Sequence, residues 1–238
     1  MMPMEERKVL GVLGGMGPMS SVFFYELVTE NTDAENDQQH VDMIISSRAT
    51  VPDRTAFILG ESEEDPLPVM KEETLRLVNA GCTTIAMTCN TAHYFYEELQ
   101  KATPVPILNI GRIAVDEIER RGIKRVGLLA TTGTVRTGIY QKACEEKEIE
   151  CISPDDADQK TIMNIIYGQV KAGKKVDMQA FTKVSEKLLN KGAEILILGC
   201  TELSVIRRTE SLGNEYIDPL LILARECVKA AGRKLKEI

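Results

Sequence analysis

Residues 79–91 read Asn79-Ala80-Gly81-Cys82-Thr83-Thr84-Ile85-Ala86-Met87-Thr88-Cys89-Asn90-Thr91, and residues 190–201 read Asn190-Lys191-Gly192-Ala193-Glu194-Ile195-Leu196-Ile197-Leu198-Gly199-Cys200-Thr201. In each, Asn-x-Gly suits the end of a helix, because glycine enters the left-handed turn there without a Cβ penalty. A short apolar run of buried-strand length follows, and a cysteine stands eight residues after the glycine. Both stretches therefore predict a helix, a glycine stop, a buried strand and a cysteine at the strand's carboxyl end. The two cysteines are 111 positions apart, and Gly11 and Gly17 match Gly127 and Gly133 at an offset of 116. Similar offsets in the same order predict two related α/β lobes.

The rest of the chain extends this pattern. Runs at 8–14, 42–47, 83–88, 105–109, 124–130 and 194–199 read as buried strands. Stretches of helical period at 19–31, 67–80, 92–101, 112–121, 135–147, 157–171, 178–191 and 219–236 lie between and after them. Strand followed repeatedly by helix means parallel sheets covered by helices. The predicted fold is thus α/β, with two pseudo-symmetric lobes, each a mostly parallel sheet flanked by helices. Residues 1–102 with 209–238 are expected in the first lobe, the last helix crossing back to it, and 103–208 in the second. Ligands of open α/β sheets bind beyond the carboxyl ends of the strands, so Cys89 and Cys200 are expected to face one another across an interlobe cleft that holds the active site.

Composition narrows the function. The chain has 238 residues, 43% hydrophobic and 27% charged, with a net charge of -7. An acidic chain without clustered basic and aromatic residues does not suit a phosphate backbone, so no nucleic-acid partner is expected. Six cysteines contain no CxxC pair and there are two histidines, which argues against a bound metal. The first residues lack a basic region followed by an apolar core, and no apolar run reaches bilayer length. No membrane partner and a cytoplasmic location, with free thiols, are expected.

Two motifs carry chemistry. In Thr88-Cys89-Asn90-Thr91-Ala92-His93, polar groups follow the cysteine at an expected helix N-terminus, where free N–H groups favour a carboxylate or a thiolate. The bland alternatives are a buried cysteine acting as a small hydrophobe and a hydrogen-bonded core histidine. In Leu198-Gly199-Cys200-Thr201-Glu202, Glu202 either caps its helix or handles the proton of Cys200. The loop Gly11-Val12-Leu13-Gly14-Gly15-Met16-Gly17-Pro18 lacks the G-x-G-x-x-G spacing and puts proline at the first helical position, so it is no dinucleotide loop. It remains a tight turn whose amides can touch an anion; Thr131-Thr132-Gly133-Thr134 offers the same from the second lobe, or a plain threonine cap. An acidic ligand needs cations. Arg48 ends the run Asp42–Ser47, Arg54 lies one loop further on, and Lys171 shares a helical face with Tyr167.

GGMGP, SSRATVPDRT, TCNTAH, LLATTGTVRTGIY and GCTEL together resemble the aspartate/glutamate racemase superfamily, essentially end to end. Glutamate racemases usually carry Asp-Ser-Gly in the opening loop and Cys-Thr-His at the second cysteine. Met16-Gly17 and Cys200-Thr201-Glu202 stand here instead, which is similar to the aspartate racemase branch. The resemblance implies a racemase without cofactors, pyridoxal phosphate included, that acts on an acidic amino acid as a homodimer. It implies that Cys89 and Cys200 are the two acid/base thiols. Asn90, Thr91, Thr132, Thr201 and the Met16-Gly17 loop would hold the α-carboxylate and ammonium, with Glu202 beside them. Arg48 and Lys171 would engage the side-chain carboxylate. Alternatives are a related isomerase or decarboxylase of another small acid, and a two-lobed protein that binds a small acid without chemistry. Retention of both cysteines speaks against them.

Overall fold

The computed structural model describes residues 7–237; residues 1–6, where no leader is expected, and residue 238 lie outside the described residues. The first half runs β1 (Leu10–Gly14), α1 (Pro18–Asn31), β2 (Met43–Ser47), α2 (Arg54–Leu59), α3 (Leu67–Asn79), β3 (Thr84–Met87), α4 (Tyr96–Lys101), β4 (Ile107–Leu108) and α5 (Ile110–Arg120). The second runs β5 (Arg125–Leu129), α6 (Thr132–Thr137), α7 (Ile139–Glu145), β6 (Glu150–Ile152), α8 (Asp156–Met163), α9 (Met178–Asn190), β7 (Ile195–Leu198), α10 (Thr201–Thr209), β8 (Tyr216–Ile217) and α11 (Pro219–Ala230). A 3-10 turn at Thr91–Phe95 precedes α4, and a π-helical turn at Asn164–Val170 extends α8.

Two four-stranded sheets form, ordered β2-β1-β3-β4 and β6-β5-β7-β8, and every pairing within them is parallel. The orders are the same once each half is counted from its own start, so the duplication read from the glycine and cysteine offsets is present in the sheets. β3 and β7 are equivalent interior strands, and their residues are almost wholly buried. Gly81 and Gly192, which stop the preceding helices, have φ of 87° and 95°, the left-handed turn that their Asn-x-Gly setting predicts.

Each half lends its last helix to the other. Ala114, Val115 and Ile118 of α5 pack with Val126, Leu128, Ile195 and Ile197 of the second sheet. Leu220, Leu223, Ala224, Cys227 and Val228 of α11 pack with Leu10, Val12 and Ala86 of the first. The expected lobe boundaries each fall one strand short. β4, placed beyond residue 102 and so in the second lobe, pairs with β3 of the first sheet. β8, placed beyond residue 208 and so in the first lobe, pairs with β7 of the second. Strands of two residues carry too few side chains to declare a sheet from sequence. β6 was missed for a related reason: Glu150-Cys151-Ile152 lies at an edge, where exposure breaks the apolar run.

Candidate active site

Strand order 2-1-3-4 reverses direction between β1 and β3, and chains of this kind open a crevice at that reversal. The loops after β1, β3, β5 and β7 meet there from both sheets. Cys89 follows β3 and is 6% exposed; Cys200 follows β7 as the N-cap residue of α10 and is 5% exposed. Beside them opens a cleft of about 420 Å³, ample for an amino acid, lined by Met16, Gly17, Asp53, Arg54, Lys171 and Glu202 among others. Neither sulfur lines that open volume.

The opening loop is shaped by close approach. Gly15, at φ 87°, lies so near the backbone of Arg48 that a Cβ would sit 2.5 Å from it. Its N–H donates to Ser21 Oγ at 2.9 Å, and Gly17 caps α1 with Pro18 at the first helical position, as the sequence predicts. A Cβ on Gly17 would lie 2.9 Å from Glu202 Oε1, so this loop forms the wall opposite Glu202.

Glu202 joins the second cysteine to the cleft. Cys200 Sγ donates to Glu202 Oε2 at 2.9 Å, while Glu202 Oε1 lies 3.4 Å from Lys171 Nζ. Burial, and next the Glu202 carboxylate, push the Cys200 thiol well above the usual thiol range, so it carries its proton. Lys171 follows the π-helical turn, and its ammonium lies 4.8 Å above the Tyr167 ring, the shared face that their spacing predicts. Burial works against its charge, but Glu202, then Cys200 and Cys89, outweigh it and raise its pKa. Tyr167 in turn donates to Asp53, 3.0 Å from Oδ2, across the cleft.

Arg54 is the cation the sequence undervalued. It is 6% exposed; Nη1 donates to Val51 O and Pro52 O, and Nη2 to Met16 O. Its Nε is buried with no partner. Burial opposes its charge, yet Cys89 and then Asp53 raise its pKa above the ordinary guanidinium value. Only the position of Arg54 one loop beyond a strand end hinted at this. Arg48, the expected partner of a side-chain carboxylate, turns the other way. Its Nη1 lies 2.8 Å from Oε1 of the fully buried Glu73, and Nε donates to Thr50. The reason is local: α3 packs beside β2 and offers Glu73, which also accepts from Ser46 Oγ at 2.5 Å. Arg48 is not among the residues lining the cleft.

The polar residues of the two cysteine motifs stitch the halves together. Thr91 Oγ1 lies 2.9 Å from both Thr131 Oγ1 and Thr134 Oγ1, and Thr201 Oγ1 donates to Thr88 O. Thr131 caps α6, as the plain reading had it, and Thr132 donates its N–H to Met163 Sδ at 3.2 Å. Asn90 Oδ1 accepts from Tyr140 at 2.5 Å, and its Nδ2 is buried without a partner. His93 takes the structural role. The Ile110 N–H donates to Nε2 at 3.2 Å, which leaves Nδ1–H to donate to Cys89 O at 2.9 Å. Burial lowers its pKa, so a neutral ring ties the Cys89 turn to α5.

A family model described as Asp/Glu/Hydantoin racemase matches residues 13–227. The chain belongs to that family. It is similar to an aspartate racemase from Picrophilus torridus, with a TM-score of 0.82 and 32% identity over 96% of each chain. An aspartate racemase homologue from Pyrococcus horikoshii OT3 aligns with a TM-score of 0.74 and 26% identity, covering 95% of this chain and all of that one. By sequence, a broad specificity amino-acid racemase from Bacillus subtilis is 29% identical over 92% of this chain and 96% of its own length. The chain thus shares its overall fold with these solved structures. Among the described residues no helix is long and apolar enough to cross a membrane, and no group of three or more His, Cys, Asp or Glu side chains is arranged to hold a metal.

Proposed function

We propose that the chain racemises aspartate, and glutamate with it, through Cys89 and Cys200 without pyridoxal phosphate. One observation carries this reading. Two cysteines ending equivalent interior strands stand with Arg54, Lys171 and Glu202 at one interlobe crevice, where Arg54 Nε and Asn90 Nδ2 are buried donors lacking acceptors. Buried donors without partners are costly unless a ligand supplies the acceptor, and an amino acid's carboxylates are such acceptors.

Racemisation needs a base on one face of the α-carbon and an acid on the other. In one direction Cys89, beside Arg54, takes the α-proton as thiolate, and Cys200 delivers its own proton to the opposite face. The reverse direction exchanges the roles. Burial and Glu202 favour the thiol form of Cys200, which is the form an acid must have. The carbanion is stabilised where hydrogen-bond donors meet the α-carboxylate; in this reading Asn90 and the Thr201 end of α10 take that task. Arg54 and Lys171 then give the acidic side chain its counter-charge. In this reading Met16-Gly17, Thr91, Thr132 and Glu202 shape the pocket, and Arg48 has no contact with substrate. The proposal includes a homodimer, as the resemblance implies, and a cytoplasmic setting, where the free thiols stay reduced.

The test is to incubate purified protein with single enantiomers of aspartate, glutamate and a panel of uncharged amino acids, without added cofactor, and to follow chirality. Aspartate is expected to racemise fastest. Cys89→Ala and Cys200→Ala should each abolish racemisation, while one of them still exchanges the α-proton of one enantiomer with deuterium from solvent. Full activity in either variant sinks the two-thiol mechanism; preference for uncharged side chains sinks the assignment to acidic substrates.

A further inference from the structure

We infer that Tyr140 is a positioning residue: its phenol fixes which edge of the Asn90 amide is presented to the bound amino acid. The inference rests on the racemase reading of the crevice and adds a residue from outside both cysteine motifs. Tyr140 stands on α7 of the second half and is completely buried, whereas Asn90 directly follows Cys89 in the first. Their contact is 2.5 Å. That length suits O–H···O and is too short for N–H···O, so the phenol meets the amide oxygen and donates to it. The other edge, Nδ2, is thereby committed elsewhere, and it is buried with no acceptor in the protein.

An amide has two edges of opposite polarity and turns over readily unless one is held. Without the phenol, Asn90 can present its oxygen to the substrate, and a carbonyl oxygen beside a carboxylate is repelled rather than bound. The donor itself is dependable. Burial, followed by the nearby Asp218 carboxyl, pushes the Tyr140 phenol well above its usual range, so it stays protonated across the working pH. Contact across the lobes adds a second consequence. The amide is set only when the two halves are seated together, as they also are where Thr91 meets Thr131 and Thr134. The donor for the α-carboxylate is assembled by the same packing that brings the two cysteines to one crevice.

The test is a double-mutant cycle on Tyr140→Phe and Asn90→Ala, read by aspartate affinity in calorimetry and by kcat/KM for racemisation, with Asn90→Asp as a third variant. Tyr140→Phe should weaken both readouts about ten- to hundredfold, the range of one hydrogen bond to a charged group. Because the phenol acts through the amide, Tyr140→Phe in the Asn90→Ala background should change neither readout by more than about twofold. Asn90→Asp keeps the acceptor for Tyr140 and loses the donor, so it should melt near the parent temperature and fail to bind aspartate. Losses that multiply in the double variant, or a Tyr140→Phe protein that matches the parent, overturn the inference. A parent that binds aspartate without racemising it refutes the racemase reading, while the affinity cycle still decides the role of Tyr140. A parent that does neither refutes both.

Discussion

Arg48→Ala separates a substrate-binding arginine from a structural one, and the geometry gives the size of the effect. Arg48 Nη1 lies 2.8 Å from Glu73 Oε1; the Glu73 side chain is 0% exposed and that of Arg48 36%. Removing one partner of a fully buried ion pair costs about 3–5 kcal/mol. Here the loss is smaller. Arg48 is partly solvated, and Glu73 keeps Ser46 Oγ at 2.5 Å and Arg76 Nη1 at 3.5 Å. A loss of about 1–3 kcal/mol is expected after that discount. For a chain of this size, each kcal/mol lowers Tm by about 2–4 °C, so a fall of about 4–8 °C marks the middle of the range. The assay pairs thermal unfolding with initial rates on L-aspartate, normalised to folded protein. KM and kcat are expected to stay within about twofold of the parent, and Glu73→Gln should also destabilise without a change in KM. An unchanged Tm together with a KM raised tenfold or more would refute this assignment and return Arg48 to the substrate.

Two other substitutions probe the ionic groups of the crevice. Glu202→Gln removes the negative charge that, after burial, holds the Cys200 thiol up, and it leaves Lys171 as the charge near that sulfur. The thiol's pKa falls, so the proton donor is lost at lower pH, and the alkaline limb of the kcat/KM profile should move toward neutrality; a limb that stays or moves up contradicts the role given to Glu202. Arg54→Gln leaves the carbonyls of Met16, Val51 and Pro52 without their guanidinium and withdraws the buried cation beside Cys89. It should lower kcat/KM for aspartate about tenfold or more while racemisation of an uncharged amino acid falls less, and equal losses on both substrates would remove Arg54 from side-chain recognition.

Much of the fold was legible because its signals are local. A glycine that must turn left-handed, four apolar residues between helices and a cysteine at a strand end are set by neighbours in sequence, and β3 and β7 lie where those signals put them. The pairing of Tyr167 with Lys171 was likewise legible from helical spacing, although Tyr167 lies within the π turn that extends α8 and Lys171 directly follows it. Short edge elements were legible only in part: the run 105–109 holds β4 but did not reveal its sheet, while β6 and β8 gave no strand signal of their own. β4, β6 and β8 have two or three residues each and gain their strand geometry from a neighbouring strand rather than from their own side chains.

The sequence by itself determined the α/β class, the doubling of the unit and the two cysteines, since all three rest on patterns that recur along one chain. Tertiary structure alone decided which cation faces the crevice. Arg48 and Arg54 are six positions apart in one loop region, and nothing in their spacing reveals that Glu73 of α3 captures the first while the second is folded under Met16. Tertiary structure alone also decided that Tyr140 meets Asn90 and that each half covers the other with its last helix. The physical reason is that charge pairing and burial depend on distances between residues far apart in sequence. A local pattern fixes which way a strand runs and where its loop ends, but not which distant side chain comes to neutralise what stands there.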